Sequence, residues 1–222
     1  MEKVVNKPML QMVVDNAYAV TNDIILVYSN HIVEYLPIFK NKCKVALQEE
    51  QLGTAHAVWV ANSLINNNIQ SAVIYGDNPL ITSQIITELF AHLEASKASI
   101  ATLVFEHEEP NEYGRIILDE KGGFKKIVEF KVATDLEKKI KLCNSGIMAF
   151  APGILEKYLP VCIDQSQKPS VKELYLTEII EICSNAGEKV TYYTSKNHQL
   201  VIGVNTQEEL EAANRIINNQ QF

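Results

Sequence analysis

Asp77 stands between an apolar run and a proline, in Gly76-Asp77-Asn78-Pro79. The carboxyl end of a strand is where open α/β sheets place their ligands. A carboxylate there suits Mg²⁺, which takes oxygen ligands and commonly bridges phosphates. Asp-Asn-Pro is equally the chemistry of a plain turn. Gly203-Val204-Asn205 ends another apolar run near the far end of the chain. The Asn205 side-chain carbonyl can serve as a second metal ligand, or the residue can cap a helix. Gln48-Glu49-Glu50-Gln51-Leu52-Gly53-Thr54 joins a strand-like run to a helix-like one. Gly53 allows close backbone approach, and the helix start beyond it offers N–H groups to an anion. The Gln48 and Gln51 amides both donate and accept, as reading a base edge requires. A polar loop capped by Thr54 explains the same residues, and His56 in the first helical turn reads as structural.

Tyr113-Gly114-Arg115, Glu129 and Asn144-Ser145-Gly146 are polar or flexible points at strand edges. Together they can hold a sugar by hydrogen bonds; singly, each is an ordinary turn or surface residue. Lys125-Lys126 and Lys138-Lys139 read as solvated faces. The five histidines are scattered, and no Ser/His/Asp or Cys/His set has helpful spacing, so hydrolase chemistry gains no support.

Alternating short elements must position these residues. Helical spacing is read over 9–20, 32–39, 54–65, 83–96, 174–185 and 207–217. Strands are read over 23–29, 44–48, 71–75, 100–106, 114–118, 124–130, 145–150, 189–193 and 200–204. Gly122-Gly123 between two such runs signals a hairpin. Strands alternating with helices predict an α/β fold with a mixed, mostly parallel sheet. The 222 residues read as one domain, with a nucleotide-binding half (1–110) and a second half (111–222) carrying antiparallel insertions.

Composition bounds the function. The net charge is -7, and only Arg115 and Arg215 are arginines among 20 cationic residues. That argues against general nucleic-acid binding. No apolar run approaches the ~20 residues of a membrane helix. Gln11 and Asp15 interrupt any signal-like stretch. Cys43, Cys143, Cys162 and Cys183 form no Cys-x-x-Cys pair, and read as reduced core thiols of a cytoplasmic protein. The first of nine glycines is Gly53, so no glycine-rich phosphate loop lies in the first quarter of these residues.

Taken in order, the motifs are Lys7-Pro8-Met9-Leu10, then Gln48-x-x-Gln51-Leu52-Gly53-Thr54-Ala55-His56-Ala57, then Tyr75-Gly76-Asp77-x-Pro79-Leu80. Tyr113-Gly114-Arg115-Ile116, Ile127-Val128-Glu129, Asn144-x-Gly146-Ile147, Tyr175-Leu176-Thr177 and Gly203-Val204-Asn205 follow. This set resembles the uridylyltransferase (pyrophosphorylase) domain of bacterial N-acetylglucosamine-1-phosphate uridyltransferases, over nearly the whole chain. The resemblance implies a Rossmann-like nucleotide-diphospho-sugar transferase fold. It implies transfer of a uridylyl group from UTP to N-acetylglucosamine-1-phosphate, giving UDP-N-acetylglucosamine, a peptidoglycan precursor, and pyrophosphate. By the same resemblance Gln48, Gln51, Gly53 and Thr54 bind the nucleotide. Gly114, Glu129, Asn144 and Thr177 bind the sugar, and Asp77 and Asn205 hold Mg²⁺.

The sequence also departs from that family. The family opens with a strand and a Leu-x-x-Gly-x-Gly-Thr-Arg-Met loop, followed by a lysine; its arginine and lysine neutralise charge on the triphosphate. Residues 1–222 do not contain this segment, so no catalytic side chain is assigned. The expected sheet lacks its first strand, leaving a gap that a partner chain or self-association can complete. Val132, Leu174, Glu178 and Pro169 replace family residues around the sugar side. The family's β-helix acetyltransferase half is not part of this sequence, so no acetyl transfer is expected. A non-catalytic nucleotide-sugar-binding protein, or a piece of a longer or split enzyme, is the alternative reading.

Overall fold

The computed structural model describes residues 2–107, 111–120, 122–166 and 173–220. Pro169 lies outside them. A short hairpin of Lys3–Val4 (β1) and Lys7–Pro8 (β2) leads into Met9–Tyr18 (α1). Ile25–Tyr28 (β3) and Lys44–Leu47 (β4) flank a 3₁₀ helix, and Thr54–Val60 (α2) precedes Ser71–Val73 (β5). Ser83–Ser96 (α3) and Ile100–Glu106 (β6) follow, then the hairpin of Arg115–Leu118 (β7) and Phe124–Val128 (β8). The chain continues through Leu142–Phe150 (β9), Ile154–Ser166 (α4), Glu178–Asn185 (α5), Val190–Thr194 (β10) and Gln207–Gln220 (α6).

β9 organises the main sheet. It runs antiparallel to β6 along its length. Its other edge pairs with β7 near Cys143 and with β5 at 148–150. β10 joins β6 in parallel. β3 and β4 form a separate parallel pair. The sheet is therefore mixed, and its parallel share is small because β9 opposes both β5 and β6. A cavity of 1470 Å³ separates β5 from β3 and is lined by 24–29 on one side and 69–77 on the other.

Side-chain alternation sorts two apolar layers onto the two faces. Ile100, Met148 and Phe150 face α4 and α5, with Leu159, Ile179 and Ile180. Ala101, Leu103, Phe105, Ile147 and Ala149 face α3, whose Ile85, Ile86, Leu89 and Leu93 recur at helical spacing. Thr82 caps α3 by accepting from Ile85 N–H at 3.2 Å. Arg115, 2% exposed, is structural: it donates to Asn111 and to the Tyr113 and Lys138 carbonyls, and its guanidinium lies 5.2 Å from the Phe130 ring centre.

Several elements differ from the sequence reading. The helix expected over 32–39 is a 3₁₀ helix, Asn30–Ile38, because Pro37 cannot donate within it. Residues 200–204 form no strand; Val201 packs instead against the α3 layer. The helix expected from 174 begins at Glu178, since 173–177 are drawn onto Gly53. α4, with Pro160 inside it, was not read at all. Cys43, Cys143, Cys162 and Cys183 form no disulfide, and all but Cys43 are buried. Among the described residues no helix is long and apolar enough to cross a membrane.

Candidate functional site

Two turns and three strand ends converge on a cavity of 220 Å³. Asp77 enters after β5, and Asn205 enters just before α6. The backbone that unites them passes through Gly203. Val204 N–H donates to the Asp77 carbonyl at 2.8 Å. A Cβ placed on Gly203 would sit 3.1 Å from Asn205 Nδ2 and 3.6 Å from Asp77 Oδ2. The start of α6 is capped by Thr206 and Glu209, which exchange bonds in a capping box. Asn205 is therefore not the side-chain cap, and its amide lines the cavity beside Asp77.

The Asp77 carboxylate is strained electrostatically. Oδ1 is buried with no hydrogen-bond partner among the described residues. Burial raises its pKa, a backbone hydrogen bond opposes the rise, and Glu209 adds to it. A buried, unpartnered carboxylate oxygen beside a side-chain amide fits a hard divalent cation. Among the described residues, no three His, Cys, Asp or Glu converge on one point to hold a metal ion. A cation here would complete its shell with water and substrate oxygens, the habit of Mg²⁺.

Gly114, Glu129, Asn144 and Thr177 line the same cavity. Thr177 donates to Glu129 Oε1 at 3.0 Å. Asn144, 6% exposed, accepts at Oδ1 from Thr102 (2.9 Å) and from Gly146 N–H (3.1 Å). Its amide nitrogen is thereby fixed as a donor. Gly146 adopts φ +83, and a Cβ there would overlap the Tyr75 ring. The backbone is held under that ring only because the side chain is absent. Burial pushes the Tyr75 hydroxyl up to about 12, keeping it a neutral donor. Tyr113 accepts from Gly203 N–H at 3.2 Å, which ties the segment before β7 to the Asp77–Asn205 corner.

Gln48, Gln51 and Thr54 line the near end of the larger cavity instead. Thr54, Tyr75 and Asp77 line both, so the two cavities adjoin. Gln48 Nε2 donates to the Gly53 carbonyl at 3.1 Å and meets His56 Nδ1 at 3.2 Å. With its amide nitrogen engaged in this way, Gln48 keeps its carbonyl oxygen as an acceptor, and His56 is placed against the Gln48 amide. Thr54 is the first residue of α2, and its hydroxyl accepts from Leu176 N–H at 2.9 Å. The sequence reading had it as the cap; Gly53 holds that position.

The sequence reading gave no site role to the lining residues Tyr75, Asn78, Glu112 and Tyr175, whereas Tyr113 and Ser145 lie in the runs it read as able to hold a sugar. Tyr75 directly precedes Gly76-Asp77, which was the available signal. Glu209 was also missed, although Thr206-x-x-Glu209 is a capping signature. The smaller cavity has no lysine or arginine among its lining residues. Lys7, of the first motif, is held instead by Asp15, which Lys42 also contacts.

The nucleotidyl transferase family model matches residues 1–215. The chain is 35% identical over 218 residues to the "Bifunctional protein GlmU" of Alkaliphilus metalliredigens, covering 98% of this chain and 47% of that protein. It is 37% identical over 220 residues to the protein of the same name from Bacillus cytotoxicus, again covering 98% and 47%. The chain thus spans about half the length of the curated relatives it matches. A CMP:2-keto-3-deoxy-manno-octonic acid synthetase structure, complexed with CTP, superposes with TM-score 0.70 over 99% of this chain and 91% of that one. At 18% identity it shows the likeness of fold. From the family match over nearly its whole length, with Asp77, Asn205 and the polar strand ends drawn to one cavity, this chain belongs to the nucleotidyl transferase family.

Proposed function

We propose that this chain carries a sugar-1-phosphate uridylyltransferase site for UTP and N-acetylglucosamine-1-phosphate. The observation that carries the reading is the convergence of Asp77 and Asn205 with Gly114, Glu129, Asn144 and Thr177 on one cavity that adjoins Gln48, Gln51 and Thr54. In the reaction, a phosphate oxygen of the sugar phosphate attacks the α-phosphorus of UTP. The bond from that phosphorus to the bridging oxygen breaks, and pyrophosphate leaves. The nucleophile is already anionic, so no side chain has to act as a base, and catalysis rests on positioning and charge neutralisation.

Each hydrogen-bonding residue has one role left to it. Gln48 spends its N–H on Gly53, so its carbonyl accepts from an imide N–H such as that of uracil. Glu129 is held by Thr177 through one oxygen and offers the other to a sugar hydroxyl. Asn144 offers its N–H to a sugar oxygen. Asp77 and Asn205 would hold Mg²⁺, whose chemistry is to offset phosphate charge in a cavity whose own side-chain charges are negative.

A binding-only reading rests on one specific observation: among the described residues, no lysine or arginine lines the smaller cavity. Losing one preorganised donor at a charged transition state typically costs ~2.7–4 kcal/mol. Pyrophosphate release from UTP, N-acetylglucosamine-1-phosphate and Mg²⁺ separates the two, with Asp77→Asn run alongside. The expected result is release that disappears in the variant. No release, with a melting temperature still raised by UDP-N-acetylglucosamine, supports the binding-only reading. Neither response refutes both.

A further inference from the structure

We infer that His56 is a positioning residue for base selection: its imidazole holds the Gln48 amide so that only the side-chain oxygen of Gln48 is left for a bound base. This role rests on the proposed function, in which Gln48 reads uracil. Two acceptors fix the amide. A carbonyl oxygen can only accept, so the Gln48 atom 3.1 Å from the Gly53 carbonyl is the amide nitrogen. The same nitrogen lies 3.2 Å from His56 Nδ1. An amide nitrogen only donates, so Nδ1 accepts, which places the ring proton on Nε2. The amide has two N–H groups, and both are engaged, one by Gly53 and one by His56. Oε1 is then the only side-chain group that Gln48 can offer to a ligand.

Each member of this set is held by its own element. Gln48 directly follows β4, and its backbone N–H donates to the Tyr28 carbonyl at 2.8 Å. The Gly53 carbonyl also accepts from Ala57 N–H at 3.1 Å, so turning it away from Gln48 would break the start of α2. His56 lies in the first turn of α2. That helix is anchored on its other side, where Ala55 is 0% and Val58 7% exposed, and where Thr54 accepts from Leu176 N–H at 2.9 Å. A strand end, a turn and a helix thus fix one amide from three directions.

The selectivity follows from the bases. Uracil has a hydrogen on N3 and donates it, whereas cytosine N3 has none and accepts. A Gln48 that can only accept pairs with uracil and sets Oε1 against the lone pair of cytosine N3. Rotating the amide by 180° would suit cytosine. It would also aim Oε1 at the Gly53 carbonyl and at His56 Nδ1, two acceptors that then lose their donor. The Gly53 carbonyl is main chain and stays whatever the side chains are. His56 is the side chain that doubles the penalty against the rotated amide.

The test is calorimetry of UTP and CTP binding to residues 1–222 with Mg²⁺. The parent should bind UTP more tightly than CTP. His56→Ala should reduce that preference ~3–10-fold, the worth of about one hydrogen bond, and Gln48→Ala should abolish it. His56→Asn places a side-chain oxygen near the position of Nδ1 and should restore most of the preference. A cooperative melting transition shows each variant folded. A preference unchanged in His56→Ala but lost in Gln48→Ala overturns the role of His56 and leaves the uracil reading standing. So does a loss in His56→Ala that His56→Asn does not restore, since the imidazole then acts through packing alone. A parent that binds neither nucleotide or prefers neither, or a Gln48→Ala variant that keeps the preference, overturns both.

Discussion

Replacing Gly53 with alanine should disconnect the glutamine loop from the segment that carries Thr177. Gly53 has φ +116 and ψ -177, a region open essentially only to glycine. Occupying it with an L-residue costs about 1–3 kcal/mol. A Cβ there would also lie 2.6 Å from both the nitrogen and the oxygen of Leu174. Those are main-chain atoms, and they cannot rotate away. They also make the two bonds that close the junction, Leu174 N–H to Leu52 and Ala55 N–H to Leu174, each 2.8 Å. Weakening both adds about 1–3 kcal/mol at ~0.5–1.5 each. The combined loss is about 2–6 kcal/mol, or roughly 4–24 °C at ~2–4 °C per kcal/mol for a domain of this size. Gly187→Ala is the control: φ there is +81, but nothing lies within 4 Å of its Cβ. It should cost about 1 kcal/mol, the backbone strain alone. Urea denaturation with a common m-value measures both. The steric reasoning fails if Gly53→Ala destabilises no more than Gly187→Ala.

Other expectations concern charge and hydrogen bonding. Glu188 accepts from Ser99 (2.5 Å), Tyr158 (2.7 Å) and Lys157 (3.0 Å), and these bonds hold its pKa at about 2 against an ordinary 4.5. Because the folded value is depressed, its stabilisation is complete above about 4.5 and is lost as pH falls toward about 2. Acid titrations of melting temperature should therefore show a flatter slope for Glu188→Gln in that window; parallel curves would refute the assignment. Arg115→Leu should destabilise by about 1–3 kcal/mol, because Asn111 and the carbonyls of Tyr113 and Lys138 lose the buried guanidinium that donates to them. A variant as stable as the parent would show that those carbonyls find other donors. Thr177→Val leaves Glu129 without its hydroxyl donor and should raise the dissociation constant for UDP-N-acetylglucosamine about tenfold, read by calorimetry. Asp77→Ala should abolish any Mg²⁺-induced rise in melting temperature, and an undiminished rise would place the cation elsewhere.

Sequence alone specified much of this molecule where local physics decides. Apolar spacing marked α3, and its Ile85, Ile86, Leu89 and Leu93 are buried as that spacing requires. Gly122-Gly123 marked the β7–β8 hairpin, which closes through Asp119 and Gly123. The ordered motifs also named most residues that line the smaller cavity. Tertiary structure decided the rest, because those features depend on partners distant in the chain. The polarity of β5 and β6 relative to β9 depends on strand 142–150 running back between elements far earlier in sequence. Thr54 became a bond acceptor for Leu176, a partner 122 residues away, instead of a helix cap. Asn205 became a cavity residue because Thr206 and Glu209 cap α6 in its place. Arg115 was drawn inward to satisfy carbonyls at 113 and 138, a demand no local pattern reveals. The cavity between β3 and β5 belongs to the same class, since its two walls meet only when both strands are placed in space.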